Sequence, residues 1–229
     1  MANPTALFVI DIQNDNATHP ATRIRAADRV KHAGETILKA ARQILDDHRT
    51  TSPQPIMIIF IQHEDVPGKG FLLKDTEPWK LVFEPRAGAE GELLVQKTTR
   101  EFGYLSSSNY FHVINGAPYA DNALSEGNTF ETNPHLADML KALGVREIVA
   151  FGIQSECCVE STCRGAREAG FGVTLLSGAH STYDLVSEGK TAEEIEREVE
   201  GRLREVGVRV EDWEGVVEGL RGLVTCNCE

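Results

Sequence analysis

Glu147-Ile148-Val149-Ala150-Phe151 runs directly into Gly152-Ile153-Gln154-Ser155-Glu156-Cys157-Cys158-Val159-Glu160-Ser161-Thr162 and on to Gly170. The first five residues form a short apolar run, which reads as a strand buried on both faces. Gly152 ends it, and from Cys157 the apolar residues recur at helical spacing. A strand that feeds straight into a helix is the repeating unit of a parallel sheet. It also puts a cysteine where the first helical amides and the positive end of the helix dipole favour an anion. Both favour thiolate over thiol, and the thiolate is the nucleophile. One stretch thus predicts an α/β fold and a cysteine that does covalent chemistry.

Outward from this stretch the same alternation recurs. Ala-Leu-Phe-Val-Ile-Asp at 6–11 is an apolar run closed by an acid, and 22–48 carries helix-spaced Val30, Ala33, Ile37, Ala41, Ile44 and Leu45. A turn at 51–55 leads to a second strand at 56–61, then to a Gly- and Pro-rich loop over 67–92 and a third strand at 93–95. A helix is expected over 133–144, with Asn133 at its cap, Pro134 at its first position and Gly144 past its end. Further strands are expected at 172–176 and 208–210, and helices at 191–206 and 213–220. Thr191 with Glu194 three residues on forms a capping box. Residues 224–229 read as a frayed tail. Together these elements predict a three-layer, doubly wound, mostly parallel sheet flanked by helices in one domain spanning 1–229. Ligands bind such sheets at the C-terminal ends of the strands, where Asp11, His63, Lys97 and Cys158 all fall.

Composition limits the functional classes. A net charge of −12 argues against nucleic-acid binding, which needs a basic stripe. There is no basic amphipathic segment for a membrane surface, and no apolar run approaches the roughly 20 residues of a span. The N-terminal residues do not read as a signal peptide. Five cysteines suggest no disulfide framework, so free thiols and a reducing cytoplasm are expected.

Three separated stretches resemble the isochorismatase-like cysteine hydrolases, the family that includes nicotinamidases and N-carbamoylsarcosine amidohydrolases. They are Phe8-Val9-Ile10-Asp11-Ile12-Gln13-Asn14-Asp15, Val95-Gln96-Lys97, and Gly152 to Val159 with Thr162, Ala166, Gly170 and Val173. Ser177-Gly178-Ala179-His180-Ser181-Thr182-Tyr183-Asp184 continues the likeness. The resemblance implies the family's Rossmann-like fold, with Asp11, Lys97 and Cys158 as a catalytic triad. Lys97 would stabilise the thiolate, and Asp11 would take the thiol proton and return it to a leaving amine. It also implies an oxyanion hole from the backbone amides of Gln154 and Cys158, a cis peptide between Ile153 and Gln154, and a homodimer or homotetramer. Cys158 precedes the Val of the family's Cys-Val pair; Cys157 is the alternative nucleophile, and Cys163 reads as a small buried hydrophobe.

The sequence departs from the family in several places. Nicotinamidases carry an Asp-x-His pair after the second strand, whereas His63-Glu64-Asp65 has the opposite order. His63 is therefore read as a substrate-binding residue at the edge of the site, and neither metal nor cofactor is expected. Trp79, Phe83, Phe102, Tyr104, Tyr110 and Phe111 are candidate pocket walls for a flat or cyclic substrate, with half or more of them alternatively core. Residues 112–132 read as an insertion, either a lid or oligomer contact or a disordered surface segment. Asp15 and Gln13 are expected to support the first loop. The function expected is metal-independent cleavage of an amide or other C–N bond in a small molecule through a thioester. The alternatives are vinyl-ether hydrolysis of isochorismate, a catalytically inactive interaction protein on this fold, or a thiol redox protein using Cys157 with Cys158 or Cys226 with Cys228.

Overall fold

The computed structural model describes residues 4–51, 53–68, 70–98 and 127–225. Within them lie strands β1 (Thr5–Ile10), β2 (Ile56–Glu64), β3 (Glu92–Thr98), β4 (Glu147–Ile153), β5 (Gly172–Ser181) and β6 (Arg209–Asp212). They form one sheet in the order β3-β2-β1-β4-β5-β6, and every neighbouring pair is parallel. The helices are α1 (Asn14–Ala17), α2 (Ala27–Asp47), α3 (Thr129–Thr132), α4 (Leu136–Ala142), α5 (Glu160–Glu168), α6 (Ala192–Glu205) and α7 (Trp213–Thr225). A π-helical turn (Ser155–Val159) joins β4 to α5. No helix among the described residues is long and apolar enough to cross a membrane.

Side chains alternate across the sheet as strand geometry requires. Leu7 and Val9 of β1 face a core built with α2 and Val217 of α7. Ala6, Phe8 and Ile10 face a second core with Leu140 of α4, Ala166 of α5 and Val199 of α6. Helices cover both faces, so the doubly wound sheet expected from the sequence is the one observed, with no antiparallel strand among those described.

The strand order reverses between β1 and β4, and the two strands approach closely there. Ile10 pairs with Gly152 in the parallel ladder. A Cβ on Gly152 would lie 2.1 Å from the Ile10 carbonyl oxygen, and its φ is +148°. Both sterics and backbone restrict this position to glycine.

Several boundaries differ from the sequence expectations. β2, β3 and β4 extend past 61, 95 and 151, and β5 past 176, because parallel neighbours continue to supply hydrogen-bond partners beyond the apolar runs. β5 slips register between Ala150 and Gly152, so that Gly152 faces His180. Helix α2 starts at Ala27 rather than near Thr22, whose hydroxyl donates to Asp15 Oδ1 at 2.9 Å and whose carbonyl accepts from Tyr183 Oη at 2.5 Å. Asn133 does not cap a helix start. It ends α3 with ψ 72°, the extended side of the map that a residue before proline prefers. The expected helix is α4, which begins at Leu136 behind His135, while Asn128 caps α3, its side chain accepting from Phe130 N at 3.0 Å. The capping box of Thr191 and Glu194 is present. Helix α7 runs through Thr225, past the expected start of the frayed tail at 224, and 226–229 lie outside the described residues.

Gly152→Ala should remove more than about 3 kcal/mol of stability, since a backbone clash cannot relax through a rotamer change. Urea unfolding of the two proteins measures it, and a loss under about 1 kcal/mol would contradict the close approach of β1 and β4.

Candidate active site

Asp11 follows the last residue of β1 and adopts φ +47°, a left-handed conformation that aspartate tolerates better than most residues. In regular alternation Asp11 would follow Leu7 and Val9 to the α2 face. Instead its Oδ2 lies 2.7 Å from Lys97 Nζ, and both side chains are buried, at 3% and 0% exposure. Lys97 projects from β3 on the face of Leu93 and Val95, the face that packs with Cys157 and Cys158. Two strand spacings, roughly 10 Å, separate β3 from β1, and the four-carbon lysine stem crosses over β2 to close that gap. The ammonium also donates to Gly127 O at 2.7 Å. Burial works against the Lys97 charge, but Asp11 and the thiols outweigh it and its pKa is raised. Both oxygens of Asp11 are buried and accept no well-aligned hydrogen bond among the described residues.

The π-helical turn after β4 carries Cys157 and Cys158, which are 2% and 5% exposed. The peptide between Ile153 and Gln154 is cis, and Gln154 precedes the turn with extended backbone. Val159 N donates to Gln154 O at 3.0 Å, closing the wide turn. Residues 127–129 press against this turn from outside. A Cβ on Gly127 would fall 3.0 Å from both Cα and N of Cys158, so only glycine leaves room beside that amide. Thr129 is fully buried and its hydroxyl lies 2.9 Å from that of Thr162 in α5. The C-terminal end of the expected insertion, from Gly127 to Thr132, is thus an integral part of the site wall, and 112–126 lie outside the described residues.

The cysteine electrostatics are not the simple stabilised thiolate that the helix start suggested. The Cys157 thiol, within hydrogen-bonding reach, and burial push the Cys158 thiol well up, while Lys97 pulls it down. Cys163, one turn on, is buried in the core and its thiol is raised to about 12 by desolvation, in keeping with a packing role. Cys226 and Cys228 lie outside the described residues.

His63 is the ladder partner of Lys97. Its Nε2 lies 3.1 Å from Asp65 Oδ1, and Asp65 Oδ2 accepts from Leu72 N at 2.8 Å. Gln13 ties the first loop to the second strand, donating from Nε2 to His63 O at 3.0 Å and to Trp79 O at 2.6 Å while accepting from His63 N. Trp79 is held by its backbone, and its indole N–H is buried without a hydrogen-bond partner among the described residues. Phe83 is not a pocket wall. Its ring fills the space over Gly34 of α2, where a Cβ would approach within 2.6 Å, and it packs on the core. Phe102, Tyr104, Tyr110 and Phe111 lie outside the described residues. Among the described residues no group of three or more His, Cys, Asp or Glu side chains is placed to hold a metal ion, and the His63–Asp65 pair is engaged with itself.

Behind the turn lies a polar chain that sequence reading missed. Ser155 Oγ meets His180 Nδ1 at 2.8 Å, both fully buried. His180 Nε2 lies 3.4 Å from Glu200 Oε1, and Ser177 donates to the same oxygen at 2.6 Å. Burial opposes ionisation of Glu200, but His180, Ser177 and Arg204 prevail and lower its pKa to about 2. Only the fold brings residues 155, 177, 180 and 200 together.

These electrostatics give two expected outcomes. Removing the neighbouring thiol in Cys157→Ala should shift the pH midpoint of Cys158 alkylation by iodoacetamide downward, because the leading cause that raises it is gone; an upward or absent shift would contradict the thiol pairing. The lowered pKa of Glu200 means that its carboxylate stabilises the fold above about pH 4.5 and that this is lost as pH falls towards 2. Glu200→Gln should therefore flatten the acid limb of a stability–pH curve and lower stability at pH 7, read by urea melts across pH.

Comparison with known proteins agrees with this geometry. The profile of the isochorismatase domain matches residues 125–201, the segment from the Gly127 wall through the cysteines into α6. Two streptothricin hydrolases of Streptomyces noursei are each 27% identical over 180 residues, covering 79% of this chain but 50% and 55% of theirs, so the match spans about half the length of these curated relatives. A cysteine hydrolase from Pseudomonas syringae pv. phaseolicola superposes with a TM-score of 0.70 at 17% identity, over 95% of this chain and 92% of that one. N-carbamoylsarcosine amidase from Thermoplasma acidophilum gives 0.62 at 14% identity, over 92% and 96%. Pyrazinamidase from Pyrococcus horikoshii in complex with zinc gives 0.60 at 18% identity, over 91% and 98%. Residues 125–201, which include the cysteine turn, thus match the isochorismatase domain, and the chain has the fold of the isochorismatase-like hydrolases.

Proposed function

We propose that this protein is a cysteine hydrolase that cleaves an amide or other C–N bond of a small molecule, with Asp11, Lys97 and Cys158 as its catalytic residues. The observation that carries this reading is the buried Lys97–Asp11 pair, 2.7 Å apart, that interacts with Cys158 and leaves both carboxylate oxygens without a well-aligned hydrogen bond among the described residues. Burying two charges costs several kcal/mol, and apolar residues of equal volume often stabilise a fold as well. A chemical use accounts for the arrangement where stability does not.

In the proposed mechanism Asp11 accepts the Cys158 thiol proton as the sulfur attacks the substrate carbonyl carbon. The oxyanion forms against the backbone amides of Gln154 and Cys158. Collapse breaks the C–N bond, and the amine leaves with the proton held by Asp11. The resulting thioester is attacked by water, which gives its proton to Asp11; the acid departs and the thiol is restored. Lys97 supplies positive charge to the thiolate throughout. Support for the pairing of roles comes from mutual electrostatics: Lys97 lowers the Cys158 pKa and Asp11 raises it. Substrate binding that adds a carbonyl dipole and excludes water strengthens each of these interactions.

The relatives' name makes streptothricin the first compound to test. Incubation of the full chain with streptothricin, followed by acid quench and intact-mass analysis, should reveal an acyl adduct on Cys158, and Cys158→Ala should lower kcat by about a thousandfold or more. Amide turnover that survives in Cys158→Ala would refute the mechanism. Turnover of isochorismate but of no amide would instead favour vinyl-ether cleavage.

A further inference from the structure

One group beside the proposed nucleophile is oriented by a partner that the triad does not use. His63 lies on β2 between the strands that deliver Asp11 and Lys97, and odd-numbered β2 residues Ile59 and Ile61 share the cysteine face. Its ring is fixed from behind: Nε2 lies 3.1 Å from Asp65 Oδ1, and Asp65 is itself anchored by Leu72 N at 2.8 Å. A carboxylate only accepts, so Nε2 carries the proton. The other nitrogen, Nδ1, is fully shielded from solvent and has no hydrogen-bond partner among the described residues. A buried polar atom without a partner is costly in a ground state, so Nδ1 keeps an unused hydrogen-bonding capacity close to Cys158.

We propose that His63, held by Asp65, is a substrate-contacting residue whose Nδ1 donates a hydrogen bond to a carbonyl or carboxylate oxygen next to the carbon that Cys158 attacks. The inference rests on Cys158 as the nucleophile and adds the class of group that the substrate presents. With Nε2–H engaged by Asp65, Nδ1 donates only from the imidazolium. Burial works against that charge, but Asp65, Cys158 and Asp11 together outweigh burial and Lys97, and the His63 pKa is raised. These four groups, from the loop after β2, the π-helical turn, the end of β1 and β3, are the charged and titratable side chains among the described residues that act on it. The raised pKa extends the imidazolium form to higher pH than an ordinary histidine allows.

The test uses two alkylating probes that differ by one carboxylate. Cys158 of the full chain is labelled with iodoacetate and with iodoacetamide from about pH 5 to 9, and the ratio of rates is taken so that the thiolate fraction cancels. In the wild type the ratio should rise by roughly tenfold as pH falls through the His63 titration, the size of one charge-assisted hydrogen bond. His63→Gln should flatten the profile. Asp65→Asn should move the inflection to lower pH, because the carboxylate that raises the His63 pKa is gone; a purely structural Asp65 would leave the inflection in place. A profile that is flat in the wild type, or that persists in His63→Gln, overturns the inference, since a surviving inflection belongs to Asp11 or Lys97. If His63→Gln does not fold, an unmoved inflection in Asp65→Asn overturns it alone. If neither reagent labels Cys158 in the wild type, the nucleophile assignment fails and this inference with it, a pattern distinct from labelling without discrimination.

Discussion

At Ile10 and Gly152 the central strands β1 and β4 meet with no space for a side chain between them, and the rest of the molecule is arranged around that contact. The sheet changes direction there, so β1 exits on one side and β4 on the other and their C-terminal ends open a shared crevice. Asp11 leaves β1 one residue after the contact, and Gln154 leaves β4 two residues after it. At the same level β5 shifts register against β4, which brings His180 opposite Gly152. Fold and site are therefore one constraint. A side chain at position 152 would separate the strands and, with them, the groups on either side of the crevice.

Around that crevice the protein places charge where folding alone would not. A lysine and an aspartate are almost fully withdrawn from water and paired over an intervening strand, with a thiol pair beside them. Such a pair gains little net stability after desolvation, yet it is fastened from several directions. Lys97 is held by Gly127 O as well as by Asp11, and Asn16 donates to the Asp11 carbonyl at 3.0 Å. The two cysteines complicate the electrostatics. Cys157 raises the pKa of its neighbour, so the resting site favours thiol over thiolate.

The turn bearing the cysteines is braced from both sides. Residues 127–129 close on it from outside through the Thr129–Thr162 contact, and Ser155, His180 and Glu200 hold it from behind. The second chain reaches the surface at Arg204, 3.2 Å from Glu200, so the geometry of the turn is coupled to the seating of α6. On the other wall His63 and Asp65 form a separate, self-contained unit whose free nitrogen is turned away from its own partner.

The one-dimensional pattern carried a large part of this. Continuous apolar runs ending in Asp11 and at Gly152, with helical spacing between strands, were enough to predict a doubly wound sheet, because burial on both faces leaves no polar alternation to misread. Chain order placed Asp11, Lys97 and Cys158 at strand ends for the same reason. Strand ends were read short wherever polar residues continue in the ladder, as in Gln62-His63-Glu64, since backbone pairing is invisible in composition. The sequence places a helix start at Asn133-Pro134, but the helix there begins at Leu136, because Asn133 ends the short preceding helix instead. The sequence does not choose between wall and core for Phe83, and its ring packs over Gly34 of α2, a contact that exists only once that helix is docked. The partnership of Lys97 with Asp11 across β2, the pressure of Gly127 on the Cys158 amide, and the joining of Ser155, His180 and Glu200 were decided by tertiary structure alone. Each depends on distances between residues far apart in the chain, and local pattern encodes burial and turn chemistry but not which buried groups meet.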